Sequence, residues 1–185
     1  DPTRYDTVEL VTVVALREEG LYSADFETPP GTEWSDTEVT LAPEGTRHFL
    51  GRFGRETVSL SIEGLPDHSH VMLAFDLLVI QSWEGSAATR GPDLFEVAVA
   101  DGPVLLNASF GGTPADLQSF PRPYGFGLQP GGSGAVETGT LGYTWYGQPR
   151  DSVYHLVFVF PHTGRDREID FTGLTSQGLG DESWG

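Results

Sequence analysis

Cysteine and lysine are both absent from this chain, and methionine (Met72) and asparagine (Asn107) occur once each. Without cysteine there is no disulfide framework, thiolate metal site, iron–sulfur cluster or cysteine nucleophile, so stability must come from packing, ions or partners. No apolar run approaches the ~20 residues that a membrane-spanning helix needs, and helical periodicity is nearly missing. Positive charge is scarce: ten Arg stand against 27 Asp and Glu, for a formal charge of −17 and a pI near 4.4. A surface of that sign repels nucleic acid and anionic membrane, and it suits divalent cations or plain solubility. The expected partners therefore include no nucleic acid and no membrane insertion. The chain begins at Asp1 with no signal-like segment, which leads us to expect a mature, processed chain.

What is present is short-period patterning. The 185 residues (20.0 kDa) suit one domain with a real core, and 24 Gly with 13 Pro supply abundant turns. Glu56 to Ile62 places Val58, Leu60 and Ile62 on one face and Thr57, Ser59 and Ser61 on the other, a strand with one wet side. Val71 to Ser82 is apolar on both parities and predicts a central strand covered on both faces; Ser152 to Phe160 reads the same way. Further strands are expected at Thr7–Leu16, Thr37–Leu41, Arg47–Leu50, Leu94–Ala100, Val104–Phe110, Thr138–Tyr146 and Glu168–Leu174, with Asp101-Gly102-Pro103 as a hairpin turn. Phe120 to Gly134 predicts a long ordered loop. The fold class expected is all-β, an antiparallel β-sandwich of jelly-roll type with about ten strands. Residues 1–20 are expected to form an N-terminal donor-strand segment and residues 21–185 the sandwich.

No H-E-x-x-H, G-x-S-x-G or P-loop occurs, so metal-hydrolase and serine-hydrolase readings have no motif behind them. His68 and His70 flank Ser69 in what reads as an exposed turn. The acids are more informative, because Ca²⁺ gathers six to eight oxygens from carboxylates and carbonyls of loops at strand ends. Three groups qualify: Asp25 with Glu27; Asp76, Glu84 and Asp93; and Asp181 with Glu182 near the C-terminal end. Asp76 stands out, since a carboxylate inside an apolar central strand is costly unless paired or metal-bound. Trp34, Tyr124, Phe126 and Tyr146 are candidates for a sugar-stacking platform against a surface polysaccharide.

The strings Asp25-Phe26-Glu27, Glu33-Trp34-Ser35, Phe49-Leu50-Gly51-Arg52-Phe53-Gly54, Leu65-Pro66-Asp67-His68, Phe75 to Gly85, Gly91-Pro92-Asp93 and Asp181-Glu182-Ser183-Trp184-Gly185 resemble secreted bacterial jelly-roll domains of exosortase-sorted (PEP-CTERM) and related cell-surface proteins. The resemblance implies an extracellular or cell-surface location. By analogy with carbohydrate-binding modules of similar architecture, it also implies a structural Ca²⁺ with Glu27 as a candidate ligand. In that family the run Asp-Glu-Ser-Trp-Gly is followed by a closing strand resembling Ile-Asp-Asn-Val-x-Val, whereas this chain stops at Gly185 and carries a similar string, Tyr5 to Leu10, ahead of the family region. A sandwich without its last strand invites strand addition. The expectation is a non-enzymatic structural protein whose copies exchange Val8, Leu10, Val11, Val13, Val14 and Leu16 head to tail, with Asp6 arriving near a calcium site. The alternative is a monomeric carbohydrate-binding or surface-display module.

Overall fold

The computed structural model describes residues 21–185; the expected strand at Thr7–Leu16, with Asp6, Val8, Leu10, Val11, Val13, Val14 and Leu16, lies outside the described residues. Among the described residues the protein is all-β, with no helix. In chain order the strands are β1 (Val39–Leu41), β2 (His48–Leu50), β3 (Thr57–Ile62), β4 (His70–Gln81), β5 (Leu94–Val99), β6 (Val104–Ser109), β7 (Glu137–Thr138), β8 (Thr144–Trp145), β9 (Gln148–Pro149), β10 (Asp151–Pro161), β11 (Arg167–Leu174) and β12 (Glu182–Trp184). One sheet has the order β12-β4-β10-β7, the second β3-β11-β5-β6, and both are antiparallel throughout. Their inner faces make the main core. Leu73, Leu77, Val79, Tyr154 and Leu156 of the first sheet pack towards Val58, Leu60, Phe95, Val97 and Phe171 of the second.

The β4–β10 ribbon changes character along its length. Odd residues of β4 face the core, and towards its C-terminal end Leu78 and Ile80 are buried on the other face by Ala42, Phe49, Leu141 and Tyr143. Over the first half that outer cover is missing among the described residues: Met72, Val157 and Val159 are about half exposed, and Asp76 faces solvent with them. The expectation of a strand covered on both faces is corrected here. It holds only from Leu77 onward, and the supposed desolvation of Asp76 disappears with it.

Two other expectations change. Thr138 to Tyr146 is not one strand, because Gly139 and Gly142 take positive φ (68° and 84°). An L-residue is strained there, and the run divides into β7 and β8. β9 and β12 come from segments that carry too few alternating residues to signal a strand. The Asp101-Gly102-Pro103 turn does join β5 to β6, with Asp101 at φ 54° and a bulge at Val97/Ala98.

Candidate functional site

Where β4 ends, Trp83 is fully buried, and its indole Nε1 donates to the Ser183 carbonyl at 3.0 Å. This ties the exit of β4 to β12. The next residue, Glu84, bridges to Gly111, and Gly85 turns the chain with φ 67°, where an added Cβ would lie 2.3 Å from the Leu117 carbonyl oxygen. The loop returns to Asp93, which is fully buried just before β5. From the other side β12 brings Glu182, also fully buried, because it lies two residues from the core Trp184 and shares its face.

Glu84, Asp93 and Glu182 thus converge: one carboxylate oxygen from each lies within 4.8 Å of the other two. The Asp93 carboxylate accepts the Glu84 amide at 2.5 Å and the Ser176 amide at 3.3 Å. Gln177 braces the others, its Nε2 donating to both Glu84 oxygens (3.1 and 3.0 Å) and to Glu182 Oε1 (3.2 Å), its backbone N–H to Glu182 Oε2 (2.8 Å). Among the described residues no guanidinium salt-bridges any of the three. Burial, reinforced by its hydrogen bond to Glu182 and the charges of Asp93 and Glu182, pushes Glu84 up to about 8. Burial and the charge of Glu182 push Asp93 up to about 7. The donor set is all oxygen, as a hard divalent cation such as Ca²⁺ requires, and it supplies three of the six to eight ligands.

The remaining expected ligands lie elsewhere. Asp25 accepts the Glu27 amide in an exposed turn, and Glu27 pairs with His48 Nδ1 at 2.9 Å. Asp76 pairs with His155 Nδ1 at 2.8 Å across the wet face of β4 and β10. Asp181 precedes β12 and accepts the Ser82 hydroxyl at 2.5 Å. The acid that the C-terminal segment contributes to the cluster is Glu182, since the alternation of β12 turns it inward.

The second feature is a groove of about 1180 Å³ between the sheets, open on the side of β4 that faces β12. Its floor and walls are mainly apolar, including Leu60, Ile62, Val71, Leu73, Phe75 and Ile169, with Leu21 to Phe26 along the rim. β12 covers only Val79, Ile80 and Gln81 of β4 as a strand, and beyond it Gly185 and Leu78 exchange both backbone hydrogen bonds, at 2.9 and 3.2 Å. From Val71 to Leu77 no strand among the described residues pairs with β4 on this side. No family model, curated protein or solved structure matches this chain.

The candidate aromatics divide. Trp34 packs against Phe26 and Phe171, with its Nε1 donating to the Tyr22 hydroxyl at 2.6 Å, and so belongs to the core margin rather than an open rim. Tyr124, Phe126 and Tyr146 are exposed, Tyr146 at 91%. His68 turns from His70 and meets His162, Nε2 to Nδ1, at 2.6 Å. Sequence reasoning named Glu182 beside Asp181 without joining it to Glu84 and Asp93, and it missed Gln177. The spacing of Glu182 to Trp184 was the available signal, because an acid two residues from a core aromatic in a strand shares its buried face.

Proposed function

We propose that the protein is a secreted, non-enzymatic structural subunit that receives a β-strand from another copy of itself, and that repetition of this contact builds an extracellular filament. The open groove along Val71–Leu77 carries the reading. It combines an apolar trough with a row of backbone groups on β4 that no described strand pairs, which is the arrangement met by strand addition. Thr7 to Leu16 is the complementary segment, with Val8, Leu10, Val14 and Leu16 on one face. Each of Leu10, Val14 and Leu16, once buried in the trough, contributes about 1.5–3 kcal/mol. Because donor and acceptor surfaces differ, the contact is head-to-tail and open-ended. The resemblance to cell-surface jelly-roll domains agrees with this role.

Ca²⁺ fits the same reading at Glu84, Asp93 and Glu182, where a dication would offset three mutually repelling carboxyl groups and fasten β12 to the loop between β4 and β5. The second reading, a carbohydrate-binding or display module, draws on the exposure of Phe126 and Tyr146 (71% and 91%). Leu10→Asp separates the two. It should leave the sandwich folded by circular dichroism and abolish particles larger than a monomer in light scattering. Filaments that form undiminished from Leu10→Asp would end the strand-exchange reading.

A further inference from the structure

Resting on that strand-exchange reading, we infer the direction and register of the incoming strand: it runs antiparallel to β4, in line with β12, with Leu10 opposite Leu77, Thr12 opposite Phe75, Val14 opposite Leu73 and Leu16 opposite Val71. Direction follows from β12. Gly185 and Leu78 are a hydrogen-bonded antiparallel pair, so by the alternation of such a strand Asp76, Ala74 and Met72 aim their N–H and C=O groups into the same slot. The slot begins at Leu77, because Gly185 already occupies the place opposite Leu78.

Its length fixes the register. Seven positions, Val71 to Leu77, lie between Leu78 and His70, at the first residue of β4. The chain ahead of the described residues holds one matching uncharged run, the seven residues Leu10 to Leu16, bounded by Glu9 on one side and Arg17-Glu18-Glu19 on the other. In this frame Leu10, Thr12, Val14 and Leu16 face the trough, and Val11, Val13 and Ala15 face outward beside Asp76, Ala74 and Met72. A shift of two residues towards the C-terminal end of the donor would leave Leu10 outside the slot and bring Arg17 into it. A shift of two the other way sets Glu9 directly opposite Asp76, a like-charge pair that destabilises strand pairing. A slip of one turns Glu9 or Arg17 towards the apolar floor.

The cysteine-free chain makes this readable by cross-linking. Directly opposed, hydrogen-bonded pairs have Cα atoms about 5.5 Å apart, within disulfide reach, whereas a two-residue slip adds about 7 Å along the strand. The double variants Val13→Cys/Ala74→Cys and Ala15→Cys/Met72→Cys sit on the outer face, away from the core. Oxidised as full-length chains, both should give a ladder of covalent multimers on non-reducing gels, and Val11→Cys/Ala74→Cys should give none. A ladder from Val11→Cys/Ala74→Cys alone overturns the register but leaves strand exchange standing. Closed monomers from the first two variants support the register and overturn exchange between copies. Filaments without disulfides in any of the three overturn the assignment of Leu10–Leu16 as the occupant.

Discussion

Replacing Glu182 by Gln removes one charge from the Glu84–Asp93–Glu182 cluster and keeps an amide oxygen for one of the two Gln177 hydrogen bonds, the backbone one at 2.8 Å, giving up the 3.2 Å bond from Gln177 Nε2. At 4.8 Å two unit charges repel by about 3.5 kcal/mol at an effective dielectric of ~20. Glu84 is only partly buried, and screening with partial protonation reduces the relief to about 1–2 kcal/mol. The pH dependence follows from the raised values. Burial and mutual repulsion push folded Glu84 and Asp93 up to about 8 and about 7, from ordinary values of 4.5 and 3.8, so the folded state holds extra protons between those limits. Their contribution is complete below about pH 4 and is lost as pH rises through 7 to 8. In chelator at pH 8.5, Glu182→Gln should therefore melt about 2–8 °C above wild type, from about 2–4 °C per kcal/mol for a chain of this size. At pH 5 the two should nearly coincide. Added Ca²⁺ should reverse the order, because binding to the folded state at a hundredfold excess over Kd supplies ~2.7 kcal/mol to wild type and far less to the variant. Scanning calorimetry with and without EDTA reads all four conditions. A variant that melts below wild type at pH 8.5 in EDTA would refute the repulsion argument, and a wild-type melt indifferent to Ca²⁺ would remove the ion.

Gly173→Ala should be among the most damaging small changes, since its Cβ would lie 2.2 Å from the Gly54 carbonyl oxygen and 2.3 Å from Trp184 Nε1. We expect a loss of about 2–4 kcal/mol in urea unfolding, and an unchanged midpoint would refute the close β11–β12 contact at Gly173. Phe126→Ala and Tyr146→Ala should leave the melting temperature within about 1 °C. Pull-down on insoluble polysaccharides tests their role: binding by wild type that either substitution abolishes would favour the display-module reading over the filament.

Much of the fold was legible from alternation. Strands of six residues or more, such as β3, β5 and β11, announce themselves through a period of two. The two- and three-residue strands do not, because their pairing is dictated by the longer strands they lie against. β4 shows where pattern reading fails: Met72, Ala74 and Leu78 look alike in sequence, yet only Leu78 gains a cover, and that cover comes from Phe49 and Leu141, far away in the chain. The site was half legible for a related reason. Glu84 and Asp93 belong to one loop and suggested each other, whereas Glu182 and Gln177 reach them only through the pairing of β12 with β4. Asp76 misled because its strand was taken as buried on both sides.

The direction of the β4 backbone has a mechanical consequence. A strand seated along Val71–Leu77 and tethered to its own sandwich through residues 17–20 would be pulled along its axis when the filament is stretched. The load then falls on the whole row of hydrogen bonds at once, in shear, whereas pulling across the strand would open them one at a time. Individually such bonds contribute about 0.5–1.5 kcal/mol. Loaded together, and with Leu10 and Leu16 held in the trough, they would make the junction stiff against tension yet open to peeling from the Val71 end, where the tether leaves, so a fibre of this kind would resist being drawn out far better than being bent.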